Sequence, residues 1–311
     1  MCKNFKTLIT VLLLLIVVSG CSNSGAEVSG KIYFTSTNFK KAKDIKNNAN
    51  MGICSYEKGK VKKLFHLKRD PHVSEAGGKI AYRDVGSKKT FKILDLKTKN
   101  ETQYHTAHLV SKLCLLDKTP NVLIYVGWDI VNDPVKGKYI QRDIYFYDLE
   151  SGKETNITKY FDDNTIYNIS TTRNEEMLLF CIIRKINNQE KSSIVLMNLK
   201  DNSTKTLPFS STNATLSPDG KKVYIWGVHE NVKGNRFYIY DLETETYQEF
   251  PKEGEYLWED EYTFSPDGTK VVYIRWEDNG KKSLWVMDAD RSNQKKLFEW
   301  GYMIRDLSWV E

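Results

Sequence analysis

The phrase Ser-Pro-Asp-Gly occurs twice, 48 residues apart, each time between two strand-like runs. Leu216-Ser217-Pro218-Asp219-Gly220 leads into Lys222-Val223-Tyr224-Ile225, and Phe264-Ser265-Pro266-Asp267-Gly268 leads into Lys270-Val271-Val272-Tyr273. Proline presets φ for a turn, aspartate bonds its own backbone, and glycine accepts positive φ. The phrase therefore reads as a hairpin device and not as a binding motif. After each copy comes another hydrophobic run with an acid near its end, Phe237–Leu242 and Leu284–Ala289. A recurring unit of this kind constrains the fold strongly, because one unit cannot bury its apolar surface without its neighbours.

Weaker copies lie upstream. Second strands of successive units are expected to begin at Lys31, Lys79, Asn121, Met177, Lys222 and Lys270, at intervals of 48, 42, 56, 45 and 48 residues. Third strands follow at Gly52–Tyr56, Phe91–Leu96, Ile144–Leu149 and Ile194–Leu199, each running into a polar turn. These runs are rich in β-branched and aromatic residues and bounded by turn formers. No helical periodicity is evident after residue 28. Four antiparallel strands per unit, six times over, predict an all-β, six-bladed β-propeller. The first unit begins at its second strand, and the segment Ile304–Glu311 ends where the turn phrase would follow. The C-terminal strand is thus expected to pair into the N-terminal blade and close the ring, leaving no open sheet edge.

The units resemble the PD40, or WD40-like, repeats of TolB-like propellers, well over residues 212–311, less over 29–104, and weakly in between. Similar repeats occur in the propellers of prolyl-oligopeptidase-type enzymes. The resemblance implies the blade and no particular activity. TolB-like proteins carry an additional N-terminal α/β domain, for which there is no room between residue 21 and the first strand. The peptidases carry an α/β-hydrolase domain, for which no residues are left over.

The N-terminus reads as an address. Lys3 and Lys6 precede the apolar run Leu8–Val18, which is shorter than the ~20 residues needed to span a bilayer. It ends in Val18-Ser19-Gly20-Cys21, which resembles a bacterial lipobox. That implies removal of residues 1–20, lipidation of Cys21, a short tether over 21–28, and a single propeller domain over 29–311. The expected location is extracytoplasmic, lipid-anchored to the bacterial cell membrane. Net charge is +6 with both signs interspersed, which does not read as a nucleic-acid footprint. Lys40-Lys41-Ala42-Lys43 reads as a solvated basic loop. Cys54, Cys114 and Cys181 sit in apolar runs and read as buried structural thiols.

No catalytic constellation stands out, and no cofactor or metal is expected. There is no G-x-S-x-G elbow. His105-x-x-His108 lies between blades, without helix geometry or a nearby acid, and reads as a polar connector. On a propeller, the loops between blades and those joining second to third strands gather at one face. Arg83, Asp84, Trp128, Asp129, Arg184, Trp226, His229, Arg275, Trp276 and Glu277 fall at second-strand ends; Asp162, Asp163, Trp258, Glu259 and Asp260 fall between blades. Trp128, Asp129, Trp226, Trp258, Arg275 and Trp276 are the candidate ligand contacts. The tryptophans either build a platform for a sugar or peptide or pack between blades. The longest loops are expected near 37–50 and 127–142.

The expectation is a non-catalytic, monomeric binding scaffold for a protein or cell-envelope polymer. An envelope glycan hydrolase or lyase with an acidic channel mouth, or a sensor domain for a membrane signalling partner, are the alternatives.

Overall fold

The structure, a computed structural model, describes residues 28–37, 51–67, 73–83, 89–134, 137–159, 164–186, 189–229, 234–250, 259–301 and 303–311. Cys21, the basic loop at 40–43, Asp84, Asp162, Asp163 and Trp258 lie outside these residues. Among the described residues none is helical, and no helix long and apolar enough to cross a membrane is present.

Twenty-four strands form six four-stranded antiparallel sheets, the blades of a six-bladed β-propeller. Blade 1 holds β1 (Lys31–Thr37), β2 (Met51–Glu57) and β3 (Lys60–Leu67). Blade 2 holds β4 (Val73–Ala76), β5 (Lys79–Tyr82), β6 (Thr90–Asp95) and β7 (Glu101–His105). Blade 3 holds β8 (Leu109–Leu115), β9 (Val122–Asp133), β10 (Gly137–Asp148) and β11 (Glu154–Asn156). Blade 4 holds β12 (Asn164–Thr171), β13 (Met177–Ile186), β14 (Gln189–Asn198) and β15 (Thr204–Leu207). Blade 5 holds β16 (Phe209–Leu216), β17 (Lys222–His229), β18 (Arg236–Asp241) and β19 (Tyr247–Phe250). Blade 6 holds β20 (Glu259–Phe264), β21 (Lys270–Trp276), β22 (Lys282–Asp288) and β23 (Lys295–Glu299). The last strand, β24 (Met303–Val310), pairs antiparallel with β1 and supplies the missing inner strand of blade 1.

The turn chemistry holds in detail. Ser217 and Ser265 each donate a hydroxyl bond of 2.6 Å to the aspartate two residues on. Each also accepts the backbone N–H that opens the next strand, from Lys222 at 2.8 Å and Lys270 at 2.9 Å. Gly220 and Gly268 both take φ of 72°, which an L side chain would strain. The hairpins between third and fourth strands, at the same end of each blade, use a second device: Asp95, Asp148 and Asp241 each accept backbone N–H bonds from two and three residues ahead.

Between blades the core is a ring of six apolar layers, one per interface. Strand alternation produces it. Within a second strand, the first, third and fifth residues face the following blade and the intervening ones face the preceding blade. Val272 and Ile274 of β21 pack toward blade 1, whereas Val271 and Tyr273 pack toward blade 5. Each such buried side chain contributes roughly 1.5–3 kcal/mol. Cys54 and Cys181 are buried in these layers, and burial pushes their thiols up to about 11 and about 12.

Three expectations need correction. The second strand of blade 3 begins in register at Val122, not Asn121, because Ile124 and not Leu123 pairs at the level that its equivalents occupy elsewhere. Residues 127–142 are for the most part not a loop but the outer half of a β-ribbon, paired from Gly127↔Asp143 to Asp133↔Gly137. Cys114 is only half-buried and faces the central channel.

Candidate functional site

The inner strands β4, β8, β12, β16, β20 and β24 surround the channel. At one level each contributes a small polar side chain: Ser74, Cys114, Ser170, Thr215, Thr263 and Ser308. Each pairs with the third residue of its neighbouring second strand, so the belt repeats the blade register. Ser74 and Ser170 each accept a backbone N–H from the next blade, Leu115 at 2.9 Å and Leu216 at 3.0 Å. Above the belt, five inner strands bulge within a residue of one another. Bulges re-aim side chains, and Glu261 and Asp306 adopt positive φ there, 43° and 53°.

These two acids, from blades 6 and 1, meet Lys112 of blade 3. Its Nζ lies 3.1 Å from Asp306 and 4.0 Å from Glu261. Asp306 also accepts the Thr35 hydroxyl at 3.0 Å, and its own N–H donates to Glu261. Burial alone would lower the Lys112 pKa, but the two carboxylates outweigh it and raise it. The channel space here is about 270 Å³. Sequence reasoning missed this crossbar, although the match of Ile304–Val310 to β20 aligns Asp306 with Glu261.

A larger cavity, about 1140 Å³, opens on the loop-rich face between blades 5 and 6. Its wall is formed by Ser210, Ser211, Thr212 and Asn213 at the β16 bulge, by Trp226 and Gly227 of β17, and by Asn235. Ser192 borders it from blade 4, and Trp276, Glu277, Asp278 and Gly280 from blade 6. The bulge is held by Ser211, whose hydroxyl donates to Trp226 O at 2.7 Å and accepts the Asn213 N–H at 2.8 Å. Gly227 permits this approach: a Cβ there would meet Ser210 O at 2.5 Å.

Of the sequence candidates, Trp226 and Trp276 are thus brought to one cavity. Trp226 faces blade 6, into the cleft. Trp276 closes the rim with 37% of its surface exposed, and the Lys282 ammonium sits 4.5 Å from its ring centre. Arg275 is not part of the lining: its guanidinium stacks on Trp285 at 4.7 Å, a packing role. Burial opposes ionisation of Glu277, but bonds from the Ser283 hydroxyl and the Lys296 ammonium, which lies 2.9 Å away, hold it below the usual range.

Trp128 and Asp129 belong to blade 3, across the ring. Asp129 pairs with His108, whose ring stacks on Tyr145 at 4.2 Å. The His108 Nε2 lies 4.0 Å from Glu154, which accepts the Tyr125 hydroxyl at 2.6 Å. Arg83 donates to Val110 O, and His229 packs among Phe209, Tyr238 and Tyr247. Among the described residues no group of three His, Cys, Asp or Glu side chains is arranged to hold a metal ion.

No protein-family model and no curated protein matches the sequence. Solved structures do match. A TolB-like protein of Agrobacterium tumefaciens superposes with a TM-score of 0.61 at 12% identity, covering 88% of this chain and 90% of that one. An oligogalacturonate lyase gives 0.53 at 13% identity, covering 88% and 74%. The β-propeller domain of the Trilobed protease of Pyrococcus furiosus gives 0.52 at 17%, covering 86% and 82%. That domain is described as having an open velcro, whereas here β24 closes the ring on β1. At these identities the likeness is one of fold.

Proposed function

We propose that the protein is a lipid-anchored, extracytoplasmic binding scaffold that takes a cell-envelope ligand at the cavity between blades 5 and 6. The observation that carries this reading is the composition of the cavity wall. An indole lies beside hydroxyls and side-chain amides that offer both donors and acceptors. The volume exceeds the ~300–1,000 Å³ of ordinary small-molecule pockets, which suits a segment of a polymer or a peptide. Of the carboxylates near the sequence candidates, Asp129 is paired with His108 and Glu277 with Lys296.

The anchor follows from the lipobox-like Val18–Cys21. Trp309 Nε1 donates to Ser29 O at 2.8 Å, on the side of the Ser-Pro-Asp-Gly turns, because β1 starts where β17 and β21 start. With Cys21 acylated, eight extended residues reach under about 30 Å. The turn face would then look toward the bilayer and the cavity away from it.

Two experiments test this. Cys21→Ser should release the protein from membranes; unchanged retention sinks the anchor. A photo-crosslinking side chain at Asn235 in intact cells should capture one envelope component, and Thr212→Arg, which fills the cavity from an exposed position, should abolish capture. Capture that ignores Thr212→Arg removes the cavity from the proposal.

A further inference from the structure

The ribbon of blade 3 is built differently from the other blades. Strands β9 and β10 are twelve residues each. Their neighbours stop early: β8 is last paired at Leu109↔Trp128 and β11 at Asn156↔Tyr145. Five residues beyond Trp128, at ~3.4 Å each, carry the ribbon roughly 17 Å past the blade.

Hydrogen bonds identify which backbone groups of β10 face outward. Asp148 N donates to Lys153 O at 2.9 Å. Ile144 N donates to Thr158 Oγ1 at 2.9 Å, and Ile144 O accepts Ile157 N at 2.9 Å. Even-numbered residues of β10 therefore turn their N–H and C=O away from β9. By alternation Lys138, Ile140 and Arg142 do the same, and no described strand pairs with them.

The side chains of these three residues share one face, turned toward blade 4. There Arg142 lies over the Tyr167 ring at 5.1 Å, and its Nε is buried without a hydrogen-bond partner. Ile140 is paired across the ribbon with Ile130, and the two are 46% and 50% exposed. The edge thus reads cation, apolar, cation at i, i+2, i+4. Antiparallel pairing with a second copy centred on Ile140 would set Lys138 opposite Arg142, a like-charge clash.

We infer that the outer edge of β10 is a docking site for an extended acidic segment of a partner polypeptide, which adds as a fifth strand to blade 3. Two carboxylates flanking an apolar residue, spaced i, i+2, i+4, would face Arg142, Ile140 and Lys138. Main-chain bonds supply the affinity, and the alternating side chains supply the choice of partner.

The test is fluorescence anisotropy with the full chain in detergent and an end-capped Glu-Thr-Val-Thr-Glu peptide. Saturable binding is expected, weakened by salt. Ile140→Pro removes one outward N–H without touching the β9 ladder and should weaken binding at least about tenfold, the equivalent of ~1.4 kcal/mol. Lys138→Glu together with Arg142→Glu should switch the preference to Lys-Thr-Val-Thr-Lys. Circular dichroism checks that the sheet is intact. Absence of saturation by about 1 mM peptide, or binding that survives either change, overturns the inference. The outcome is independent of the cavity between blades 5 and 6.

Discussion

Blades 3 and 6 face one another across the channel and carry tryptophan at the same repeat position. Trp128 and Trp276 are each the seventh residue of a second strand, counted from Val122 and Lys270. Their surroundings differ. In blade 6, β21 and β22 are seven residues long, and Trp276 ends its strand at a cavity rim. In blade 3 the strands run on, and Trp128 becomes a mid-ribbon residue paired with Arg142. The inner ends of the blades, at belt and turns, obey one pattern. The outer ends are where blades acquire individual surfaces. Repeat position alone therefore does not define a site; strand length beyond it does.

The largest effect should come from the crossbar that ties Lys112 of blade 3 to Glu261 of blade 6 and to Asp306 of blade 1. Asp306→Ala leaves Lys112 without its nearest carboxylate, and should cost about 3 kcal/mol in urea unfolding, as for other buried pairs broken on one side. The sign with pH is defined. The folded pKa of Lys112 is raised, so its contribution is complete below the unfolded value of about 10.4 and fades only as pH climbs through the higher folded value. Loss of stability near neutral pH in the wild type would break the assignment.

A smaller effect separates the blades one residue before the tryptophans. Gly127 in blade 3 corresponds to Arg275 in blade 6. A Cβ at Gly127 would lie 2.8 Å from the Tyr145 ring and 2.9 Å from the Tyr125 ring. Gly127→Ala should cost about 1–3 kcal/mol through overpacking. Arg275→Ala should cost about 1 kcal/mol, the loss of its stacking on Trp285. Equal costs would mean that the ribbon base is not tightly packed.

The smallest effect belongs to the turns. Bonds from the Ser265 hydroxyl and then from Thr269 hold the Asp267 carboxyl below its usual range. Exposure limits the gain, so Asp267→Ala should cost at most about 1 kcal/mol. That difference from wild type should persist above about pH 3.9 and vanish as pH falls through the lower folded value. Differential scanning calorimetry of wild type and variant at pH 7, and then at successively lower pH, follows the difference to its loss.

The frame of the molecule was legible because turn chemistry is local. Proline, aspartate and glycine act within four residues, so each hairpin can be read from its own segment. Strand starts at Lys31, Lys79, Met177, Lys222 and Lys270 follow from this. The ribbon was not legible because Asp129, Asn132, Asp133 and Lys138 have the composition of a loop, although their register is that of a strand. The crossbar was not legible because Lys112 and Asp306 are 194 residues apart. A lysine in a strand otherwise reads as facing water. Trp226 and Trp276 were identified as individual candidates, but their convergence depends on how blades 5 and 6 stack.

Closure by β24 also has a temporal meaning. Thr35 and Arg305, joined in the first blade, are 270 residues apart. As the chain leaves the ribosome, blade 1 must wait for its inner strand until the five other blades have been made. Non-local pairing of this kind is slow and leaves sheet edges open meanwhile. The ring therefore stays unlocked while the strands between β1 and β24 are made, and its closure is one late, non-local step.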